Sequence, residues 1–137
     1  MVIDFQMLVE LNLIVQMILV LLLYLASRLA IGGDFKKHCT LMRIAVPVQI
    51  LTVLGVMLPS MYGYLKNTST ESLFNSEILI HHSLGLGVVF LWIYINIIFM
   101  GFLKPAIKIR TMMRLALVSW AVSMLIGLHL YWVVYLS

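Results

Sequence analysis

The alternation of apolar and polar positions along the chain resolves into four long apolar runs, at roughly 5–27, 44–64, 78–103 and 115–136. Each holds at most one Asp, Glu, Lys or Arg in 21 residues or more. An α-helix needs about 20 residues to cross the hydrocarbon core of a bilayer, so each run is long enough to span it. The apolar residues follow one another continuously, whereas a transmembrane β-barrel requires shorter segments of alternating polarity. The pattern predicts an all-α, polytopic membrane protein: one membrane domain over 1–137 with four transmembrane helices. Short connections make successive helices antiparallel, which gives an up-down-up-down four-helix bundle.

Composition agrees with that reading, because 64% of residues are hydrophobic and 10% charged, against about a quarter charged in an ordinary soluble domain. The first run is read as a mature helix. A secretory signal has a basic start and a small-residue cleavage site, and here Asp4 and Glu10 occupy the N-terminal flank. Thr40 is expected to cap the second helix, and Ser76 with Glu77 the third. Pro47 and Pro59 should disturb the second helix, and Gly63 with "KNTSTES" should form the turn after it. Gly85, Gly87 and Gly127 offer flat surfaces for close helix approach. The single cysteine, Cys39, excludes an internal disulfide and a multi-cysteine metal site, and it reads as an ordinary thiol in a basic loop.

The formal charge of +4 is not a nucleic-acid signal once the charges are placed. Arg28, Lys36, Lys37 and Arg43 fall between the first and second runs, and Lys104, Lys108, Arg110 and Arg114 between the third and fourth, so eight of the nine Lys and Arg residues sit at two connections. The N-terminal region and middle loop carry Asp4, Glu10, Glu71 and Glu77 against Lys66 alone. The positive-inside rule then predicts a plasma-membrane protein with both basic connections cytoplasmic, where they anchor to anionic lipid, and with both termini outside. Asn67-Thr68-Ser69 is a glycosylation-type triplet in the outer loop. Tyr62, Tyr64, Tyr131, Trp132 and Tyr135 read as an outer interfacial belt.

Polar side chains inside the runs carry the chemical information, since each must find a partner or water in the bilayer. Asn12 and Gln16, four residues apart on one helix face, read as interhelical hydrogen-bonding groups. The topology gathers His81, His82 and His129 into the outer third of the protein, with His129 slightly the deepest and a depth mismatch of about one turn. Glu10 belongs to the same layer, as do Met57 and Met61, one turn apart. At about 100° per residue, His81 and His82 flank the direction set by Gly85 and Asn96, so both can face the interior without meeting at one point. Imidazole ligates haem iron, copper and zinc, thioether favours Cu(I), and a carboxylate can orient a ligating histidine. The candidate cofactors are haem b held by His82 and His129, with His81 as a further ligand, or copper held by His81, His82, His129, Met57 and Met61 with Glu10 alongside. Against both stands plain hydrogen bonding among the same groups. His38, in "KKHCTLMR", reads as a solvated side chain facing headgroups.

Several stretches resemble the DUF420 family of small four-helix membrane proteins, some of which are associated with cytochrome oxidase maturation. "LNLIVQ" at Leu11–Gln16 is similar to its polar-spotted first helix, and "HCTLM" from His38 to Met42 to its loop signature with a basic residue lost. "ILIHHSLGLGVV" is similar to the start of its third helix, where the usual single histidine aligns with His82. The spacing of Arg114, Trp120, Gly127 and Tyr131 is similar to its last helix. Where the family commonly has a second loop histidine this chain has Lys108, and His81 and His129 are additions.

No nucleophile–base pair, phosphate loop or carboxylate dyad is discernible, so the sequence points away from an enzyme. Two readings follow. The first is a non-catalytic membrane protein that binds haem or a metal near its outer face and serves electron transfer or assembly of a membrane redox complex. The second is an accessory or structural subunit of a larger enzyme, of respiratory oxidase or archaeal ammonia-oxidising type, with no cofactor of its own. Both make other membrane subunits the expected partners and leave self-association open. A transporter would want a charged pathway or broken inverted helices, and neither is evident.

Overall fold

A computed structural model describes residues 4–66 and 72–137. It is all-α, with no strand among the described residues. Helix α1 runs Phe5–Ile31 and α2 runs Phe35–Thr52; a π-helical turn, Val53–Met57, then leads directly into α3, Leu58–Lys66. Helix α4 runs Ser72–Phe99, and α5, Ile109–Tyr131, ends in a second π-helical turn, Trp132–Leu136. Four stretches are long and apolar enough to cross a membrane: Gln6–Ile31, Phe35–Gly63, Ser76–Phe99 and Ile109–Leu136. The chain divides into two compact units, Met1–Lys66 and Asn67–Ser137.

Each unit is built on an antiparallel helical hairpin. In the first, Asp4 caps α1 by accepting from the Gln6 N–H, and Arg28 lies in the last turn, where a cation complements the helix dipole. Gly33 then adopts φ 83°, a left-handed conformation that costs glycine little. The Asp34 N–H bonds the Leu29 carbonyl at 2.9 Å and the Gly33 N–H bonds Ala30 at 3.2 Å, so α1 ends in a Schellman motif. Asp34 also opens α2, its carboxylate accepting from the Lys37 N–H at 3.2 Å. The Lys37 ammonium lies 2.9 Å from the same carboxylate. These two bonds, the side-chain one first, hold the Asp34 carboxyl below its ordinary pKa.

The second hairpin turns with the same device. Gly101 has φ 82°. The Phe102 N–H reaches the Ile97 carbonyl at 3.3 Å and the Gly101 N–H reaches Ile98 at 2.9 Å, ending α4 at Phe99. The second apolar run was expected to start near 44 and the fourth near 115, yet α2 begins at Phe35 and α5 at Ile109. Lys36, Lys37, Cys39, Arg43, Arg110 and Arg114 are therefore helical rather than loop residues. Long cationic side chains can stay on a helix and still reach the interface, so charge does not mark the helix end.

Two expected caps are corrected. Thr40 lies inside α2, its hydroxyl donating to the Lys36 carbonyl at 3.0 Å. Ser76 and Glu77 lie inside α4, which already runs from Ser72. Pro47 sits within α2, beyond its third turn. Pro59 follows the π-helical turn at Val53–Met57. Proline has no N–H and its ring crowds the carbonyl four residues back, and a widened turn relieves that crowding. The Asn67-Thr68-Ser69 triplet and Glu71 lie outside the described residues.

Within the first hairpin the buried stripe is Leu19, Leu23 and Ala26 on α1 with Ala45, Gln49 and Val53 on the helix that follows. Intervals of three and four residues define one helix face. In the second hairpin, Val88, Trp92, Ile95 and Ile98 on α4 and Met112, Ala116, Trp120 and Ser123 on α5 are buried. Large apolar residues such as Leu21, Phe90, Val118 and Leu125 are more than half exposed. A soluble protein rarely presents such surfaces, but lipid tails solvate them.

Candidate functional site

The polar groups inside the first hairpin form one cluster. Gln16 donates from Nε2 to Gln49 Oε1 at 2.9 Å and lies 3.2 Å from Thr52 Oγ1. Asn12 Oδ1 stands 3.5 Å away on the same face of α1, and the Thr52 hydroxyl donates to the Gln49 carbonyl at 2.9 Å. This is the interhelical hydrogen bonding expected of Gln16, with Gln49 as the buried partner, while Asn12 bonds Gln16 on its own helix. It fixes the register of α1 against α2, because a one-residue slip would leave a buried amide unpaired. His38 is half-buried rather than freely solvated: from α2 its Nδ1 donates across the turn to the Ala26 carbonyl at 2.9 Å.

The second hairpin holds His81, His82 and His129, and each meets a different partner. His81, on α4, donates from Nδ1 to the Ser123 carbonyl on α5 at 2.8 Å. The Ser123 hydroxyl returns a bond to the His81 carbonyl at 3.1 Å. The imidazole packs against Gly127, so closely that a Cβ on Gly127 would fall 2.7 Å from His81 Cε1. Gly127 thus provides the close approach expected of it, whereas Gly87 has nothing within 4 Å of where its Cβ would be. Ser123 and His81 are not a catalytic dyad. The His81 Nδ1 that faces Ser123 carries the proton given to a carbonyl, so it is not free to act as a base toward the hydroxyl.

His82 is buried, with 6% of its surface exposed. Its Nδ1 donates to the Ile78 carbonyl one turn back on its own helix at 2.7 Å. The His81 and His82 rings stand edge to face, centroids 5.3 Å apart, so the adjacent imidazoles diverge. His129 is exposed and pairs with Glu77, Nδ1 to Oε2 at 3.1 Å. Asn96, expected beside the histidines on an interior face, is exposed and bonds back to the Trp92 carbonyl at 2.8 Å.

The expected layer is thereby redrawn. The carboxylate on His129 is Glu77, while Glu10, on α1, accepts from the Gln6 side chain at 3.2 Å. The pairing of Glu77 with His129 and of His81 with Ser123 places His129 about one turn nearer the open end of the hairpin than His81, reversing the expected order. The reversal arises because α4 begins at Ser72, before the apolar run itself. Met57 and Met61 belong to the first unit, in the π-helical turn and in α3. Among the described residues, no three His, Cys, Asp or Glu side chains come together as a metal-holding group.

One feature unites the histidines and was not foreseen. In His38, His81, His82 and His129 alike, Nδ1 faces a carbonyl or carboxylate oxygen. A carbonyl only accepts, so in the first three Nδ1 must carry the proton; in the neutral ring Nε2 is then the basic nitrogen. That is the tautomer and the fixed ring orientation a ligating imidazole needs.

Fold and site define a multi-pass, all-α membrane protein with oriented histidines in its second hairpin. No family model, curated protein or solved structure matches the chain.

Proposed function

We propose that this is a non-catalytic integral membrane protein that binds haem b through His82, and that it serves electron transfer or the assembly of a membrane redox complex. The observation that carries this reading is the bond from His82 Nδ1 to the Ile78 carbonyl. It presents Nε2 as the ligating atom on a buried, pre-oriented ring. Haem needs one or two imidazoles, so the divergence of the histidines is no obstacle to it; a copper site of three imidazoles would need them to converge. His129, oriented by Glu77, is the second candidate ligand, and His81 is engaged in packing. The resemblance to DUF420 proteins, with its usual histidine at His82, points the same way.

In this reading the protein lies in the plasma membrane, with both basic connections cytoplasmic and both termini outside, and its partners are other membrane subunits. The test is the visible spectrum and metal content of detergent-purified protein. A Soret band, present in wild type and lost in His82→Ala, is expected; a colourless, metal-free preparation sinks the proposal.

A second reading has an observation of its own. His81, Ser123 and Gly127 interlock by reciprocal bonds and close contact, which suffices as a packing device without a cofactor. On that reading the chain is a small accessory subunit of a larger membrane enzyme, and stoichiometric co-purification of that enzyme without colour would favour it.

A further inference from the structure

The connection between α4 and α5 differs in chemistry from the one between α1 and α2. The first hairpin turns in three residues, Gly32, Gly33 and Asp34, and Asp34 pairs with Lys37. The second hairpin turns through the longer stretch "MGFLKPAIK", residues 100–108. That stretch carries Lys104 and Lys108, with Arg110 and Arg114 on the first turns of α5, and all four are exposed. No Asp or Glu follows Glu77 in the sequence. Among the described residues none of the four cations has an ion-pair partner. Between them project apolar side chains: Phe102 is 77% exposed and Met100 69%, and Leu103 and Ile107 are also exposed.

Because the stretch joins two membrane spans, Ser76–Phe99 and Ile109–Leu136, it lies at a bilayer surface. Exposed apolar side chains there enter the headgroup–acyl boundary, and flanking lysines and arginines reach phosphate. We propose that the α4–α5 connection is a docking surface for anionic phospholipid, with Phe102 and Met100 inserted beside the headgroups and Lys104, Lys108, Arg110 and Arg114 supplying the countercharge. The α1–α2 connection also exposes Ile31 and Phe35 between its cations, but it turns in three residues and already pairs Lys37 with Asp34. It does not share the role. The surface is independent of any cofactor at His82.

The test is lipid retention by the full chain in detergent, followed by native mass spectrometry after mixing with phosphatidylglycerol or phosphatidylcholine. Phosphatidylglycerol should be retained about tenfold over phosphatidylcholine. Replacing Lys104, Lys108, Arg110 and Arg114 by Gln should abolish the preference, and Lys36→Gln with Lys37→Gln should leave it intact. Equal retention of the two lipids would overturn the proposal, as would loss of preference in the Lys36/Lys37 variant, or displacement of the lipid by millimolar inorganic phosphate, which would make free phosphate the ligand. A second measurement needs no charge removal. In Cys39→Ser/Phe102→Cys protein carrying a bimane label and reconstituted in vesicles, lipids spin-labelled near the headgroup should quench the probe. An unquenched, water-exposed probe contradicts insertion.

Discussion

At the scale of single residues, His81 and His82 are neighbours that bond different helices. His81 is bonded to Ser123 and lies on Gly127, which makes it part of the seam between α4 and α5. His82 bonds only its own helix through Nδ1, which orients the ring. Gly127→Ala should therefore destabilise the second hairpin by about 1–3 kcal/mol, because the new methyl meets the imidazole and either the ring leaves its bond to Ser123 or the helices shift. Unfolding in mixed detergent–denaturant micelles measures this, and a neutral result would contradict the close contact. Asp34 gives a pH prediction. Its bonds from Lys37 lower its folded pKa, so the stabilisation they provide is present above the ordinary carboxylate value of about 4 and is lost as pH falls through the lower folded value. The stability difference between wild type and Asp34→Asn should be constant near neutral pH and should shrink in acid below about pH 4. These individual pairings could not be read from the sequence. Whether His81 meets Ser123 or Glu77 meets His129 depends on helix register, which hydropathy does not carry.

At the scale of elements, the helix interiors were legible and their ends were not. Apolar runs mark lipid-facing surface, whereas α1 stops only where Gly33 takes a left-handed conformation, and α4 where Gly101 does. Replacing either glycine by alanine should cost about 1 kcal/mol and loosen the turn, a loss read from faster exchange of the amide that closes it, that of Asp34 or Phe102. The Gly-Gly-Asp turn was the signal that could have fixed the first register. With a turn centred there, Gln16 on α1 falls opposite Gln49 on α2, as the structure has it. Gln16→Leu should leave the buried Gln49 amide short of a partner and destabilise this hairpin by about 1 kcal/mol. Pro59 signalled a disturbance in the second span, but only the structure shows it as a widened turn at Val53–Met57.

At the scale of the whole molecule, four membrane-length helices follow from hydropathy alone and are present in the structure. The charge pattern adds an orientation, and the one cysteine allows a test of it. Cys39 is exposed on α2 near the basic connection. A membrane-impermeant maleimide should reach it only after the membrane is opened; labelling in intact cells would reverse the assignment. Candidate ligands were legible as residue types, since intramembrane histidines stand out against so apolar a background. Their partners were not, because which group each Nδ1 meets depends on helix register. The central claim is that His82 is oriented to ligate haem, and a haem titration of the detergent-purified protein, followed by the Soret shift, tests it most directly. Saturation at one haem per chain, abolished in His82→Ala and kept in His81→Ala, is the predicted result. No shift in wild type, or equal loss in both variants, would contradict it.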